Sequence, residues 1–339
     1  MTIMVLLSTT AIMEYTTLGS TGMSVSRICL GTMNFGYGGE GWQLDEDDSK
    51  QIVERAIDLG INFIDTANVY RDGESEQVIG DVIGEYDRDE LAIATKVYFS
   101  MDDDNPNAQG LSRKAIEQEL VNSLERLGID TIDLYQIHRS DYGTSIEETL
   151  RTLDDAVRRT QVRYIGASSM WAYQFADALN TSDELGLERF ATMQNHYNPV
   201  YREEEREMLP LCEDEGIGVI PWSPLARGYI TRPHEEFDTT ARGREEADTR
   251  EDRHTIYRDG GGEEINRRTE ELADDYGVTM AQLTIAWHLH TEPVTAPIIG
   301  VSSIEHLEDA VEAVEIDLLE SDLEYIEEPY EPVPITGHD

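Results

Sequence analysis

Lysine is nearly absent from this chain. Of its 26 basic residues only Lys50, Lys96 and Lys114 are lysines; the rest are arginine. Positive charge as a whole is short. Asp and Glu number 70, so 339 residues carry a formal net charge of −44. Such a surface repels phosphate backbones and anionic lipid heads, which argues against nucleic acid and membrane surfaces as partners. Cysteine is scarce too. Cys29 and Cys212 cannot form a disulfide framework for a chain of this size. Each sits in an apolar stretch and reads as a buried free thiol in a reducing cytoplasm. No apolar run approaches the ~18 residues of a transmembrane helix. Residues 1–13 lack a positive n-region, and Ile3–Leu7 is too short for a signal peptide core. They read as an N-terminal extension, with Met13 a candidate start. Glycine-rich phosphate loops are missing as well: Gly36-Tyr-Gly-Gly-Glu-Gly41 is not G-x-G-x-x-G, and no P-loop occurs. His234, His254, His288 and His290, taken as exposed, have no metal-ligand spacing with one another, and positions 288 and 290 face different sides of a helix. No metal is expected.

What the chain does have is alternation. Hydrophobic residues make up 39 %, enough for a core and against disorder. Strand-like runs at Ser26–Thr32, Asn62–Thr66, Leu91–Val97, Thr131–His138, Val162–Ser168, Arg189–Gln194, Gly216–Trp222 and Thr295–Gly300 alternate with amphipathic helical stretches. Several runs are almost wholly apolar, as strands buried on both faces must be. Eight strands alternating with helices predict a (β/α)8 barrel over residues 14–320, an α/β fold. A doubly wound open sheet is the alternative, but it would be expected to carry a glycine-rich loop after its first strand. Residues 14–29 predict a β-hairpin turning at Gly19 and Gly22, placed to plug the barrel bottom. Residues 228–262, polar and rich in Arg, Glu, Asp and Gly, predict a long loop or lid after the seventh strand. Residues 321–339 read as a C-terminal tail.

Barrel chemistry gathers at the C-terminal ends of the strands. Asp65, Lys96 and His138 end the second, third and fourth strands, and Tyr70 follows Asp65 by five residues. A phenol has a reference pKa near 10, and a neighbouring ammonium is expected to lower it. A carboxylate would fix the ammonium, and an imidazole could orient a carbonyl oxygen. The group is coherent as a proton-donating site for C=O reduction with Tyr70 as general acid. Taken singly, each residue is more often a structural ion pair or a packed histidine. Lysine scarcity argues otherwise for Lys96, because arginine differs in pKa and shape. An aldolase or isomerase with Lys96 as a Schiff-base amine is a further reading of the same residues.

Here the sequence resembles the aldo-keto reductase family. The match lies in Asp65-Thr-Ala-Asn-Val-Tyr70 with Gly73 and Ser75-Glu76, in Thr95-Lys96-Val97, and in Gln136-Ile137-His138. Leu30-Gly31-Thr32-Met33, Pro221-Trp222-Ser223-Pro224-Leu225-Ala-Arg227-Gly228 and Pro297-Ile-Ile-Gly300 extend it. It is similar in particular to the branch holding potassium-channel β-like and bacterial general reductases. The resemblance implies a catalytic tetrad of Asp65, Tyr70, Lys96 and His138. It also implies NAD(P)H bound along the rim. Gly31, Thr32, Met33 and Asp65 would line the nicotinamide, Ser168, Ser169 and Gln194 the carboxamide, and Trp222 would stack on the ring. Ser223, Leu225 and Arg227 would hold the pyrophosphate; Gly300, Ser302, His306 and Asp309 would surround the adenosine. Ser169 stands where many relatives carry Asn, and no Lys or Arg occurs from Val301 to Asp309, where a 2′-phosphate prefers one. NADP(H) is placed slightly ahead of NAD(H), and a small carbonyl compound is the expected substrate. A cofactor-sensing regulatory protein on the same scaffold is the other functional class. Some channel-associated relatives have Asn at the fourth tetrad position, whereas this chain has His138.

High acidity with almost no lysine is expected of a protein adapted to a salt-rich cytoplasm. At about 1 M salt the Debye length falls to about 3 Å and self-repulsion is screened. The melting temperature should therefore rise between 0.1 M and 2 M KCl. A melting temperature already maximal in low salt would contradict this.

Overall fold

The computed structural model describes residues 12–39, 41–239 and 255–338. A two-stranded antiparallel hairpin comes first, β1 (Tyr15–Thr17) against β2 (Ser24–Ser26). Eight parallel strands follow: β3 (Cys29–Gly31), β4 (Phe63–Asp65), β5 (Ala92–Val97), β6 (Ile132–Ile137), β7 (Val162–Ser168), β8 (Phe190–Gln194), β9 (Gly218–Val219) and β10 (Ile298–Gly300). Their order is β10-β3-β4-β5-β6-β7-β8-β9. The two ends meet: Thr295 N–H donates to Val219 O at 2.8 Å and Ile298 N–H to Pro221 O at 3.0 Å. The sheet thus closes as the expected (β/α)8 barrel. β5 and β6 are buried at every position, as parallel strands between a filled lumen and a helical jacket must be.

The helices pack apolar side chains inward, and several start at a capping side chain. In α1 (Glu46–Asp58), Asp45 accepts from Asp48 N–H at 3.0 Å. Next come α2 (Glu74–Ile83) and α3 (Arg113–Leu127), the latter capped by Ser112 and ended by the left-handed Gly128. α4 (Ile146–Arg158), α5 (Ala172–Leu185) and α6 (Met208–Glu215) complete the regular repeats. α7 (Thr255–Arg258), α8 (Gly262–Tyr276), α9 (Met280–His290), α10 (Ile304–Glu312) and α11 (Glu320–Glu327) follow. Among the described residues no helix is long and apolar enough to cross a membrane.

The hairpin plugs the barrel. Leu18 and Val25 are fully buried in one cluster with Cys29, Phe63, Ala92, Ala94, Leu134, Ile220, Ala296 and Ile298, which come from the strands and their flanks. Gly19 has φ +56°, and a Cβ there would lie 2.5 Å from Gly218 N, so only glycine lets the turn touch β9.

Three local expectations differ from the structure. The seventh barrel strand is regular only at Gly218–Val219 rather than over Gly216–Trp222, although Ile220 N–H and Trp222 N–H still donate to Met193 O and Asn195 O. His288 is fully buried and its Nε2 lies 3.1 Å from Pro224 O. It was expected exposed; α9 is apolar on every side, so no sequence periodicity marks an outer face. The stretch 228–262 is not merely polar, since Tyr229, Ile230, Phe237 and Tyr257 are buried. His254 and residues 240–254 lie outside the described residues. Beyond α11 the chain returns over the rim: Val333 N–H donates to Glu203 Oε1 at 2.9 Å and Thr336 N–H to Tyr201 Oη at 3.0 Å.

Leu18→Ala should cost about 2–5 kcal/mol of stability by opening a cavity in the plug. Leu319→Ala, 62 % exposed, should stay within about 0.5 kcal/mol. Urea unfolding reads both, and equal midpoints would refute the plug.

Candidate active site

Strand register sets the centre. Asp65 closes β4, Lys96 lies in β5 beside Gln136 of β6, and His138 follows β6. Side chains alternate between lumen and jacket, so Gln136 and His138 share a face. Tyr70 begins a tight turn, Tyr70–Gly73, after the Asp65 loop, with Arg71 and Asp72 at positive φ.

Lys96 is completely buried, and its three ammonium protons have three acceptors. These are Asp65 Oδ2 at 2.5 Å, Thr66 O at 2.8 Å and Tyr70 Oη at 3.2 Å. The other Asp65 oxygen accepts from Gln136 Nε2 at 2.9 Å and Gln194 Nε2 at 3.0 Å. Because the Tyr70 oxygen accepts from Lys96, its own proton is left to donate elsewhere. The His138 ring meets Tyr70 edge-on at 5.8 Å and Phe99 at 4.8 Å. The structure therefore brings Asp65, Tyr70, Lys96 and His138 together.

Electrostatics amends one expectation. Burial raises the Tyr70 pKa; Lys96 opposes this without reversing it, so the phenol stays protonated instead of being tuned down. Burial pulls Lys96 down, but Asp65 and Tyr70 together hold the ammonium above its ordinary value. Burial, then Lys96 and Arg139, push His138 far below the usual imidazole range, so it is neutral at pH 7. Its Nδ1 is sealed without a partner. The site thus holds a proton on the phenol, a fixed positive charge behind it and an uncharged imidazole beside it.

A second polar layer supports the first. Arg126 Nε donates to the fully buried Glu76 at 2.6 Å, and Thr95 Oγ1 to the same carboxylate at 2.5 Å. Asn68 Nδ2 donates to Glu119 at 3.0 Å, and Ser75 Oγ is shared by Thr32 and Thr66. These bonds fix the loop carrying Tyr70.

The residues that the resemblance assigns to a dinucleotide lie as follows. Gly31 packs so tightly on Ile298 that a Cβ would lie 2.7 Å from its Cγ2. Thr32 donates to Asp65 O and faces inward, while Met33 is exposed. Ser168 Oγ donates to Gln194 O at 2.9 Å, so both residues are engaged with the wall. Ser169 has a clear role: its Oγ accepts from Trp222 Nε1 at 3.0 Å. Trp222 stacks on His196 at 4.1 Å, and His196 on Tyr201 at 4.0 Å. Ser223, Ala226 and Arg227 all have positive φ, and such strain concentrates at ligand-binding turns. Leu225 lies inside that turn. Next to exposed Gly300, Ser302 Oγ lies 3.2 Å from His306 Nδ1 at the start of α10, with Asp309 one turn on. Helix N-termini favour phosphates. A partly exposed indole, a strained turn and a helix N-terminus in sequence along one rim fit a nicotinamide dinucleotide. Among the described residues no group of His, Cys, Asp or Glu could hold a metal.

Reading the sequence gave no role to Gln136, Thr66, Phe99, Arg139 or His196. Gln136 was legible, two residues before His138 on one strand face. His196 was not, since its role depends on Trp222 from another strand end.

The aldo/keto reductase family model matches residues 27–331. The chain belongs to that family. A Schizosaccharomyces pombe protein provisionally named an aryl-alcohol dehydrogenase is 42 % identical over 95 % of this chain and 97 % of its own length. Versiconal hemiacetal acetate reductase of Aspergillus parasiticus is 40 % identical, covering 95 % and 98 %. An aldo-keto reductase of Fusarium vanettenii is 40 % identical, covering 96 % and 93 %. Membership and these names support an oxidoreductase acting on carbonyl compounds.

Burial also pushes His196 far down and His288 to about 4. In NMR titrations the ring signals of His138, His196 and His288 should stay neutral from pH 8 to 5.5. A His138 midpoint near 6.5 would overturn this account of the site.

Proposed function

We propose that this protein reduces an aldehyde or ketone to an alcohol with NAD(P)H, and catalyses the reverse reaction. The observation that carries this reading is the saturated ammonium of Lys96, held 2.5 Å from Asp65 and 3.2 Å from the Tyr70 oxygen. When bound, the nicotinamide supplies the hydride that adds to the carbonyl carbon. Tyr70 gives its proton to the carbonyl oxygen, so the C=O π bond becomes C–H and O–H bonds. The phenolate left on Tyr70 is stabilised by Lys96, whose charge Asp65 keeps in place. Neutral His138 donates to the carbonyl oxygen and sets its direction. Trp222, pinned by Ser169 and backed by His196, supplies a flat wall for the ring. Ser223, Leu225 and Arg227 would hold the pyrophosphate, and Gly300, Ser302, His306 and Asp309 the adenosine. We place NADPH ahead of NADH, with Ser302, His306 and the start of α10 meeting the 2′-phosphate.

Oxidation of NADPH and NADH, followed at 340 nm with aldehydes in high salt, tests this. Turnover is expected, with higher kcat/KM for NADPH. Tyr70→Phe should lower kcat about 10²- to 10⁴-fold with little change in cofactor KM. No turnover by the unaltered protein, or full activity in the variant, would sink the proposal.

A further inference from the structure

Arg139 directly follows His138 and is only partly buried. Acidic residues far outnumber basic ones, and most arginines find one: Arg55 pairs with Glu308 at 2.6 Å, Arg88 with Asp133 at 2.5 Å and Arg126 with Glu76 at 2.6 Å. Arg139 has no carboxylate partner among the described residues. Its Nη1 donates to His138 O at 2.7 Å, and its guanidinium lies 5.5 Å from the centre of the Phe99 ring. The acid nearest in sequence, Asp141, is turned to its own loop. It accepts from Leu111 N–H at 2.8 Å, Gly143 N–H at 2.7 Å and Thr144 Oγ1 at 2.8 Å. The charged neighbours that would neutralise Arg139 are replaced by the phenols of Tyr70 and Tyr98. Removing a cation from water without a counter-ion is costly. In a chain with this surplus of acid, leaving it unpaired beside the reacting groups points to an anion that arrives with a ligand.

We propose that Arg139 binds a carboxylate carried by the substrate, so that the preferred carbonyl compound is an aldehyde or keto acid with a flat, apolar body. This rests on the reductase reading above. Phe99 is the shared surface: the His138 imidazole lies 4.8 Å from it and the Arg139 guanidinium 5.5 Å. A substrate body laid against this ring has its carbonyl at Tyr70 and His138 and its anionic end at the guanidinium. The planar fork of arginine matches a carboxylate with two parallel hydrogen bonds. An anion could also come from the dinucleotide, and the experiment separates the two.

Steady-state kinetics at constant ionic strength would compare 4-formylbenzoate with benzaldehyde for the unaltered protein, Arg139→Met and Arg139→Lys. The unaltered protein should prefer 4-formylbenzoate. Arg139→Met should cut that preference roughly 10- to 100-fold, mostly through the KM of the carboxylated aldehyde, and Arg139→Lys should restore part of it. A preference for benzaldehyde, or an equal loss on both aldehydes, overturns the proposal. So does a rise in cofactor KM in place of aldehyde KM, which assigns the anion to the dinucleotide. Calorimetric binding of terephthalate, which has no carbonyl to reduce, separates this from the reductase reading. If neither aldehyde turns over, binding that Arg139→Met abolishes still supports an anion site at Arg139. Equal heats with both proteins, or none with either, remove it.

Discussion

The buried pair of Lys96 and Asp65 is the constraint around which the rest is arranged. Both groups are sealed from water, so each loses its hydration and must be repaid by contacts. The repayment comes from all round the barrel: Thr66 follows β4, Gln136 lies on β6 and Gln194 on β8. In the sheet order β4 and β8 are separated by three strands, so Gln194 reaches Asp65 only across the lumen. Closure of the sheet is thereby tied to the chemistry. An open sheet would leave Asp65 without that donor and Lys96 with a poorer counter-ion.

The same pair explains why burial does not spoil the site. Desolvation alone would discharge the amine and hold the proton too firmly on the phenol. The carboxylate keeps the amine charged, and the amine tempers the rise of the phenol. The imidazole, with no carboxylate facing it, stays neutral. Around this centre the rim is built from aromatic stacking and strained turns. Trp222, His196 and Tyr201 form one pile, and Ser169 ties the indole to it. The Ser169 hydroxyl meets both the indole N–H and the Ser168 hydroxyl.

Much of this was legible before the structure. The alternation of apolar strands with amphipathic helices identified the barrel, and Asp65, Lys96 and His138 stood at strand ends where a barrel gathers its chemistry. Tyr70 was legible too, five residues beyond Asp65 in the loop that follows, whereas the nucleotide track rests on resemblance alone. Less legible were features set by several segments at once. The buried position of His288 was hidden because α9 has no polar face, and the short β9 because regular pairing depends on its neighbours in the sheet. That Arg139 meets no carboxylate among the described residues was also hidden, since no sequence shows which acids turn away.

Residue order alone determined the periodicities, the strand ends and the near loss of lysine, because these depend on local spacing and composition. Tertiary structure decided which charges meet, which are sealed and which stay unpaired. Those outcomes depend on desolvation and on hydrogen bonds between residues far apart in the chain. Arg139 and Lys96 illustrate the division. Both are basic residues close to a strand end, and only the folded barrel surrounds one with acceptors and leaves the other open.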